Sequence, residues 1–173
     1  MIHISGTGIL AEFSPSGPGY PVTKVYSDIA NIKEITSLPM TALHRNVDDA
    51  VLTGGKSAGV PTAIICPPLI HGVGKGPVKK RSIQIPWLTE AILKRGKGFT
   101  VGPGENWWDH VHIDDLTEAF ILVTEEALKT GGGKAWWGEE GYYFVEAGEF
   151  VGPISYPPFD PSYLVTLYSI DSH

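Results

Sequence analysis

Apolar and polar positions along the chain predict strands and helices in alternation. Residues 2–5, IHIS, read as a short strand closed by the turn signal Gly6-Thr7-Gly8. Residues 14–21, SPSGPGYP, are dominated by Pro and Gly and suit neither a helix nor a central strand. A weakly helical stretch, SDIANIKEITSL, follows and is stopped by Pro39. A better helix is predicted next, with Asn46 as its cap and Asp49 three residues later. Val47 and Val51 share one face of it, and Gly54-Gly55 close it. Residues 62–66, TAIIC, are a continuous apolar run between Pro61 and Pro67, the pattern of a strand covered on both faces in a parallel sheet.

The second half repeats this order. Pro86 sits in the first turn of a predicted helix whose Ile85, Leu88 and Ile92 lie at helical spacing, with Gly96 beyond its end. Phe99-Thr100-Val101 predicts a short strand. Asp115 and Glu118 form an Asp-x-x-Glu capping pair for a helix with Leu116, Ala119, Phe120, Val123 and Ala127 on one side. Residues 142–145 read as a further strand. The order is α/β, and segments 2–5 and 62–66 are expected side by side and parallel, with the Asn46 helix as the crossover. Residues 1–150 form the folded region. Residues 151–173 carry four prolines without a helical or strand period and are expected to be a disordered tail.

Composition narrows the class. The 173 residues suffice for one ordinary domain, and 42% hydrophobic with 18% charged residues is a globular profile. The net charge of −6, with no run of Lys or Arg that marks out a basic face, makes nucleic acid and anionic membranes poor partners. One cysteine, Cys66, rules out an intrachain disulfide and points to a reducing compartment. The N-terminus lacks the pattern of a secretory signal, and no apolar run approaches the ~20 residues of a membrane helix. A soluble, cytoplasmic protein is expected.

Two segments invite chemistry. His110 and His112, at i and i+2 with Asp114 and Asp115 close by, have the spacing of metal ligands on a strand. The competing reading is a strand-to-helix corner held by local hydrogen bonds, and it is preferred, because the two aspartates begin a helix and serve as its caps. No metal is expected. Gly55-Lys56-Ser57 ends like a phosphate loop, but Ala50 stands where its first glycine belongs, and a helix precedes it while a strand follows. It reads as a helix C-cap. No G-x-G-x-x-G occurs anywhere in the chain.

Three segments together carry a family resemblance. HVHIDDLTEAFILVTEEA resembles the strand-to-helix corner of extended short-chain dehydrogenases/reductases, the epimerase/dehydratase group. TAIICPPLIHGVGKGP is similar to the segment at the end of that family's sixth strand, and IHISGTGIL resembles its fifth. They occur in the family's order across residues 1–150, and the spellings look closest to fungal, atypical members. The resemblance implies an α/β fold: a partial Rossmann-like, doubly wound parallel sheet lacking the N-terminal strands, with a small C-terminal substrate-side region.

The resemblance also implies an NAD or NADP cofactor and a small carbonyl or alcohol substrate. It places Ser5 and Thr7 where the family has its catalytic hydroxyls; the competing reading is that they only satisfy nearby backbone. Pro67, Pro68, Leu69 and Ile70 fall where the family lines the nicotinamide, with Cys66 replacing the usual Arg. The family's Tyr-x-x-x-Lys helix should run into strand six, but here it carries His44-Arg45-Asn46-Val47-Asp48. Tyr20 and Lys24 spell the pattern in a loop that Pro21 keeps from being helical. They are one candidate acid pair, His44 is a substitute acid, and altered or lost machinery is the third reading. The family's glycine-rich first turn is absent, so the full cofactor site is not expected in this chain. Three functions remain: an NAD(P)-dependent oxidoreductase or epimerase-like protein, truncated and weak or inactive as given; a non-catalytic dinucleotide-sensing or regulatory relative; and a non-functional gene remnant. An exposed edge on strand 2–5 favours self-association.

Overall fold

Strand β2, Ala63–Cys66, realises the TAIIC run, and all four residues are fully buried. It lies between β1, Ile2–Ile4, and β5, Tyr142–Phe144, and is parallel to both. Ile2 registers with Ala63, His3 with Ile64 and Ile4 with Ile65, so the predicted parallel pair is present. The computed structural model describes residues 1–11 and 16–151; the expected tail lies outside the described residues apart from Val151.

Helix α2, Arg45–Ala58, makes the crossover from β1 to β2. Two expectations about it are corrected. The cap is His44, not Asn46, and His44 takes a left-handed conformation, φ 68°. The helix also runs past Gly54-Gly55 to Ala58, with Gly59 at φ 65° as the left-handed terminator. Gly55 serves close approach instead. A Cβ on it would stand 2.3 Å from Thr62 Cγ2 and 2.8 Å from the Val60 carbonyl oxygen, whereas Gly54 faces open space. The weakly helical stretch before it shrinks to α1, Ile32–Thr36. There the Thr36 and Ser37 hydroxyls donate back to the carbonyls of Ile32, Lys33 and Glu34, an alternative to continuing the helix.

The chain divides into two compact units. The first comprises, among the described residues, 1–11, 23–68 and 116–146 and holds the sheet β1-β2-β5. Its core joins Ile9, Ile35, Ile64, Cys66 and Tyr142, with Leu38, Val51 and Leu52 packed against them. Each fully buried isoleucine contributes about 1.5–3 kcal/mol of hydrophobic transfer. The outer edge of β5 is closed by Asp28, whose Oδ2 accepts the Phe144 N–H at 2.9 Å.

The second unit comprises, among the described residues, 16–22, 69–115 and 147–151. Its sheet pairs β3, Leu69–His71, parallel with β4, Trp107–His112, and β4 antiparallel with β6, Gly148–Val151. Helix α3, Gln84–Arg95, ends at Gly96 (φ 72°) as its pattern predicts. The strand expected at Phe99-Thr100-Val101 does not form. Gly102 and Gly104, at φ 56° and 73°, turn the chain there, and the Pro18–Gly19 backbone lies so close that Gly102 has no room for a Cβ. The strand forms instead at β4. Helix α4, Ile113–Ala127, begins before the Asp115/Glu118 pair, which therefore lies within its opening turns rather than at its cap.

Candidate functional site

Side chains alternate across a strand, so His3 and Ser5 emerge from the same face of β1. Asp48, in the first turn of α2, meets them. The Ser5 hydroxyl donates to Asp48 Oδ2 at 3.0 Å, and His3 Nε2 stands 3.7 Å from Oδ1. Asp48 is fully buried, and its Oδ1 has no hydrogen-bond partner among the described residues. Burial raises the Asp48 carboxyl from its ordinary value, against the lowering by the Ser5 hydrogen bond and by the His3, His44 and Arg45 charges. Arg45 does not bond it: its guanidinium donates to the carbonyls of Thr36, 2.6 Å, and Leu38, 3.3 Å, and pairs with Asp49 at 3.3 Å.

His44 completes the group. Among the described residues it alone, apart from glycines, has a positive φ, a conformation that costs of order 1–3 kcal/mol and concentrates at functional sites. Its imidazole packs over the turn after Ser5. A Cβ on Gly6 would lie 3.2 Å from His44 Nε2, and one on Gly8 would lie 3.4 Å from it. Glycine at 6 lets the ring approach, and glycine at 8 makes room chiefly for Leu43, whose Cδ2 would lie 2.8 Å from a Cβ there.

The predicted site residues separate into those the fold gathers and those it does not. Ser5 and Thr7 sit at the C-terminal ends of parallel strands, bonded through their N–H groups to the carbonyls of Ile65 and Pro67 at 2.8 and 3.0 Å. Ser5, Thr7 and Pro67 are thus one constellation, with Pro68 next in the chain. Leu69 and Ile70 belong to the second unit, where they form β3 with Leu69 buried. Tyr20 and Lys24 lie on no helix. The Lys24 ammonium is 3.3 Å from Glu34 and 4.4 Å above the Tyr26 ring. Cys66 is buried, and that burial pushes its thiol up to about 12, leaving it unreactive at neutral pH.

Sequence reasoning read Asp48 only as a missing Lys and His3 only as a strand residue. The available signal was H-x-S on one strand face opposite a helix carrying H-x-x-x-D.

In the second unit His110 and His112 alternate along β4, and His71 is in register with His112. His71 Nε2 and His110 Nδ1 are 3.2 Å apart. His112 Nδ1 accepts the Asp114 N–H at 3.2 Å, a local bond at the strand-to-helix corner. Among the described residues no group of three His, Cys, Asp or Glu has the arrangement to hold a metal ion. An open cleft of about 500 Å³ in the first unit, walled by Leu122, Glu126, Lys134, Trp136 and Tyr143, holds none of the Ser5 constellation. No helix among the described residues is long and apolar enough to cross a membrane.

Such an arrangement can orient an oxygen-bearing substrate and move a proton to or from it, at the strand ends where α/β folds bind ligands. Known proteins agree with the fold. A family model described as the NAD dependent epimerase/dehydratase family matches residues 41–136, more than half the chain. Oxidase ucsJ of Acremonium sp is 33% identical over 161 residues, which cover 87% of this chain and 46% of that protein. An uncharacterised protein of Schizosaccharomyces pombe is 28% identical over 107 residues, 61% of this chain and 34% of its own length. The chain thus spans less than half the length of these relatives. Among solved structures, the dTDP-glucose 4,6-dehydratase DesIV of Streptomyces venezuelae, with NAD and TYD bound, superposes with a TM-score of 0.52 at 18% identity. That match covers 97% of this chain and 42% of the dehydratase, and it supports a partial Rossmann-like α/β fold.

Proposed function

The chain belongs to the NAD dependent epimerase/dehydratase family, and on that premise we propose that it carries the reacting end of an NAD(P)-dependent oxidoreductase or epimerase-like site for a small carbonyl or alcohol. The observation that carries this reading is the convergence of Ser5 with Asp48 beneath it and of His44 over Gly6 and Gly8, at the C-terminal ends of two parallel strands. The residues present fit the nicotinamide end of a dinucleotide: Thr7 and Pro67 are joined there, and the two glycines admit His44 and Leu43 against the turn. The chain contains no G-x-G-x-x-G to cradle the phosphates.

Nicotinamide, when bound, supplies or receives the hydride. In the oxidising direction the alcohol binds by donating to Ser5 Oγ, and its hydrogen then turns to His44, which takes the proton in place of the family's tyrosine. In the reducing direction His44 returns it. Pro67 and Pro68 are the residues that would line the ring, as the family resemblance implies. Thr7 stands beside Ser5 as a second hydroxyl. Tyr20 and Lys24 have no part in this scheme, since no helix sets them one turn apart.

Phosphate contacts supply most dinucleotide affinity. The 173-residue chain alone should therefore bind NADH and NADPH no tighter than about 1 mM, about −4 kcal/mol. Its partners, in this proposal, are a small-molecule substrate and a second β-edge, and neither nucleic acid nor membrane. In the parallel ladder with β2 the backbone groups of His3 and Ser5 face β2, while those of Ile2 and Ile4 face outward. A fungal origin and a cytoplasmic location belong to the same proposal. One observation favours a second reading, a dinucleotide-sensing relative without turnover: His44 and Asp48 stand at the tyrosine and lysine positions.

The test titrates the chain with NADH and NADPH, follows energy transfer from its five tryptophans, and screens small aldehydes, ketones and alcohols at high cofactor. Weak saturable binding, with turnover abolished in both Ser5→Ala and His44→Ala, is expected. Binding without turnover across the panel would favour the sensing reading. Turnover indifferent to both substitutions would overturn the placement of the reaction at the end of β1.

A further inference from the structure

A serine hydroxyl has one hydrogen and two lone pairs, so it can donate to only one neighbour at a time. In this structure that hydrogen goes to Asp48 Oδ2, 3.0 Å away. With Asp48 ionised, Ser5 has only lone pairs left for a ligand. With Asp48 protonated, the carboxyl O–H can donate to Ser5 Oγ, and the serine hydrogen becomes available. The two states present opposite hydrogen-bonding character at the same point in space. An alcohol has a hydrogen to give, whereas a carbonyl oxygen can only accept.

We propose that Asp48 is a positioning residue whose protonation decides whether Ser5 accepts a hydrogen bond from an alcohol or donates one to a carbonyl. The proposal rests on the reading that Ser5 meets the substrate oxygen, and extends it to how one site distinguishes the two redox forms. Asp48 is placed for this role because it is fully buried and, among the described residues, makes no hydrogen bond to a cationic side chain. His3 from β1 is 3.7 Å away, Cys66 from β2 and Tyr142 from β5 face it, and on α2 His44 and Arg45 flank it. Arg45 donates to the Thr36 and Leu38 carbonyls and pairs with Asp49, while its buried Nη1 has no hydrogen-bond partner among the described residues. Burial therefore sets the carboxyl's behaviour and raises the pH at which it ionises. Alcohol affinity relative to carbonyl affinity rises with pH through that transition.

The experiment uses the whole chain, labelled with 13C at aspartate carboxyls, so that NMR follows Asp48 itself. Cyclohexanol and cyclohexanone are the probes, and their binding is read at the Ser5 amide across the Asp48 transition. The affinity ratio of alcohol to ketone is expected to rise with pH by about 2–10-fold, the range for one hydrogen bond gained or lost. In Asp48→Asn it should not change with pH. In Ser5→Ala the ratio should also be flat, and the Asp48 transition should move upward because the carboxylate loses its donor, a result that does not depend on the Asn variant folding. A flat wild-type ratio while Asp48 titrates overturns the inference and leaves the functional reading standing. A ratio that still follows pH in Asp48→Asn assigns the effect to His3 or His44 and also overturns it. If neither probe perturbs Ser5 at any pH, the reading of Ser5 as the substrate contact fails, and the inference falls with it.

Discussion

Gly54 and Gly55 are neighbours in α2, and the same substitution to alanine should change stability in opposite directions at the two positions. Alanine in a helix interior is favoured over glycine by about 0.5–1 kcal/mol. At Gly54 nothing lies within 4 Å of a new Cβ, so the full gain should appear. At Gly55 the same gain is opposed. The Cβ would meet Thr62 Cγ2 at 2.3 Å and the Val60 carbonyl oxygen at 2.8 Å. Thr62 is only 2% exposed and leads directly into β2, so it cannot swing clear. That carbonyl belongs to the backbone just beyond the helix, where the Val60 N–H also bonds the Gly55 carbonyl at 2.8 Å. Overpacking of this kind costs about 1–3 kcal/mol, which leaves a net loss of up to about 2.5 kcal/mol after the helical gain. Urea titrations at one pH would measure both variants, with thermal midpoints moving about 2–4 °C per kcal/mol, upward for Gly54→Ala and downward for Gly55→Ala. Adding Thr62→Ser to Gly55→Ala removes the methyl contact and should recover part of the loss. If Gly55→Ala proved as stable as Gly54→Ala, close approach would not be the reason for glycine at 55, and the account of how α2 seats on β2 would be wrong.

Three further outcomes follow from the first unit. Because burial raises the Asp48 carboxyl in the folded state, its contribution to stability is present below the ordinary value of 3.8 and is lost as pH rises through the higher folded value. Asp48→Asn should therefore gain on the wild type as pH increases from about 4 towards neutrality, and parallel urea midpoints at several pH values would read this directly. Asp28→Ala removes the acceptor of the Phe144 N–H and should cost about 1–2 kcal/mol, with Asp28→Asn recovering most of it in the same titrations. The Cys66 thiol, buried and pushed up to about 12, should be silent to a disulfide reagent at neutral pH in the folded protein and react fully in denaturant; rapid native reaction would show that β2 opens.

What the sequence determined by itself was the local and periodic part of the fold. TAIIC between two prolines can bury both faces only in the middle of a sheet, and it does. A helix between 2–5 and 62–66 demanded a parallel crossover pair, which is present. The strand after Gly96 was misplaced, because Phe99-Thr100-Val101 has the right residues, while packing against Pro18–Gly19 decides the conformation there. The ends of α2 were misplaced for a related reason. Gly54-Gly55 looks like a terminator in one dimension, but Gly55 is set by Thr62, the residue just before the following strand. The candidate site shows the same divide. Ser5 and Thr7 were legible as hydroxyls at a strand end, yet nothing local marks Asp48 as their neighbour, since 43 positions separate it from Ser5. Its burial, its bond to Ser5 and the left-handed turn that puts His44 over Gly6 arise only when α2 is laid across the sheet, because hydrogen bonding and desolvation depend on which groups meet in space.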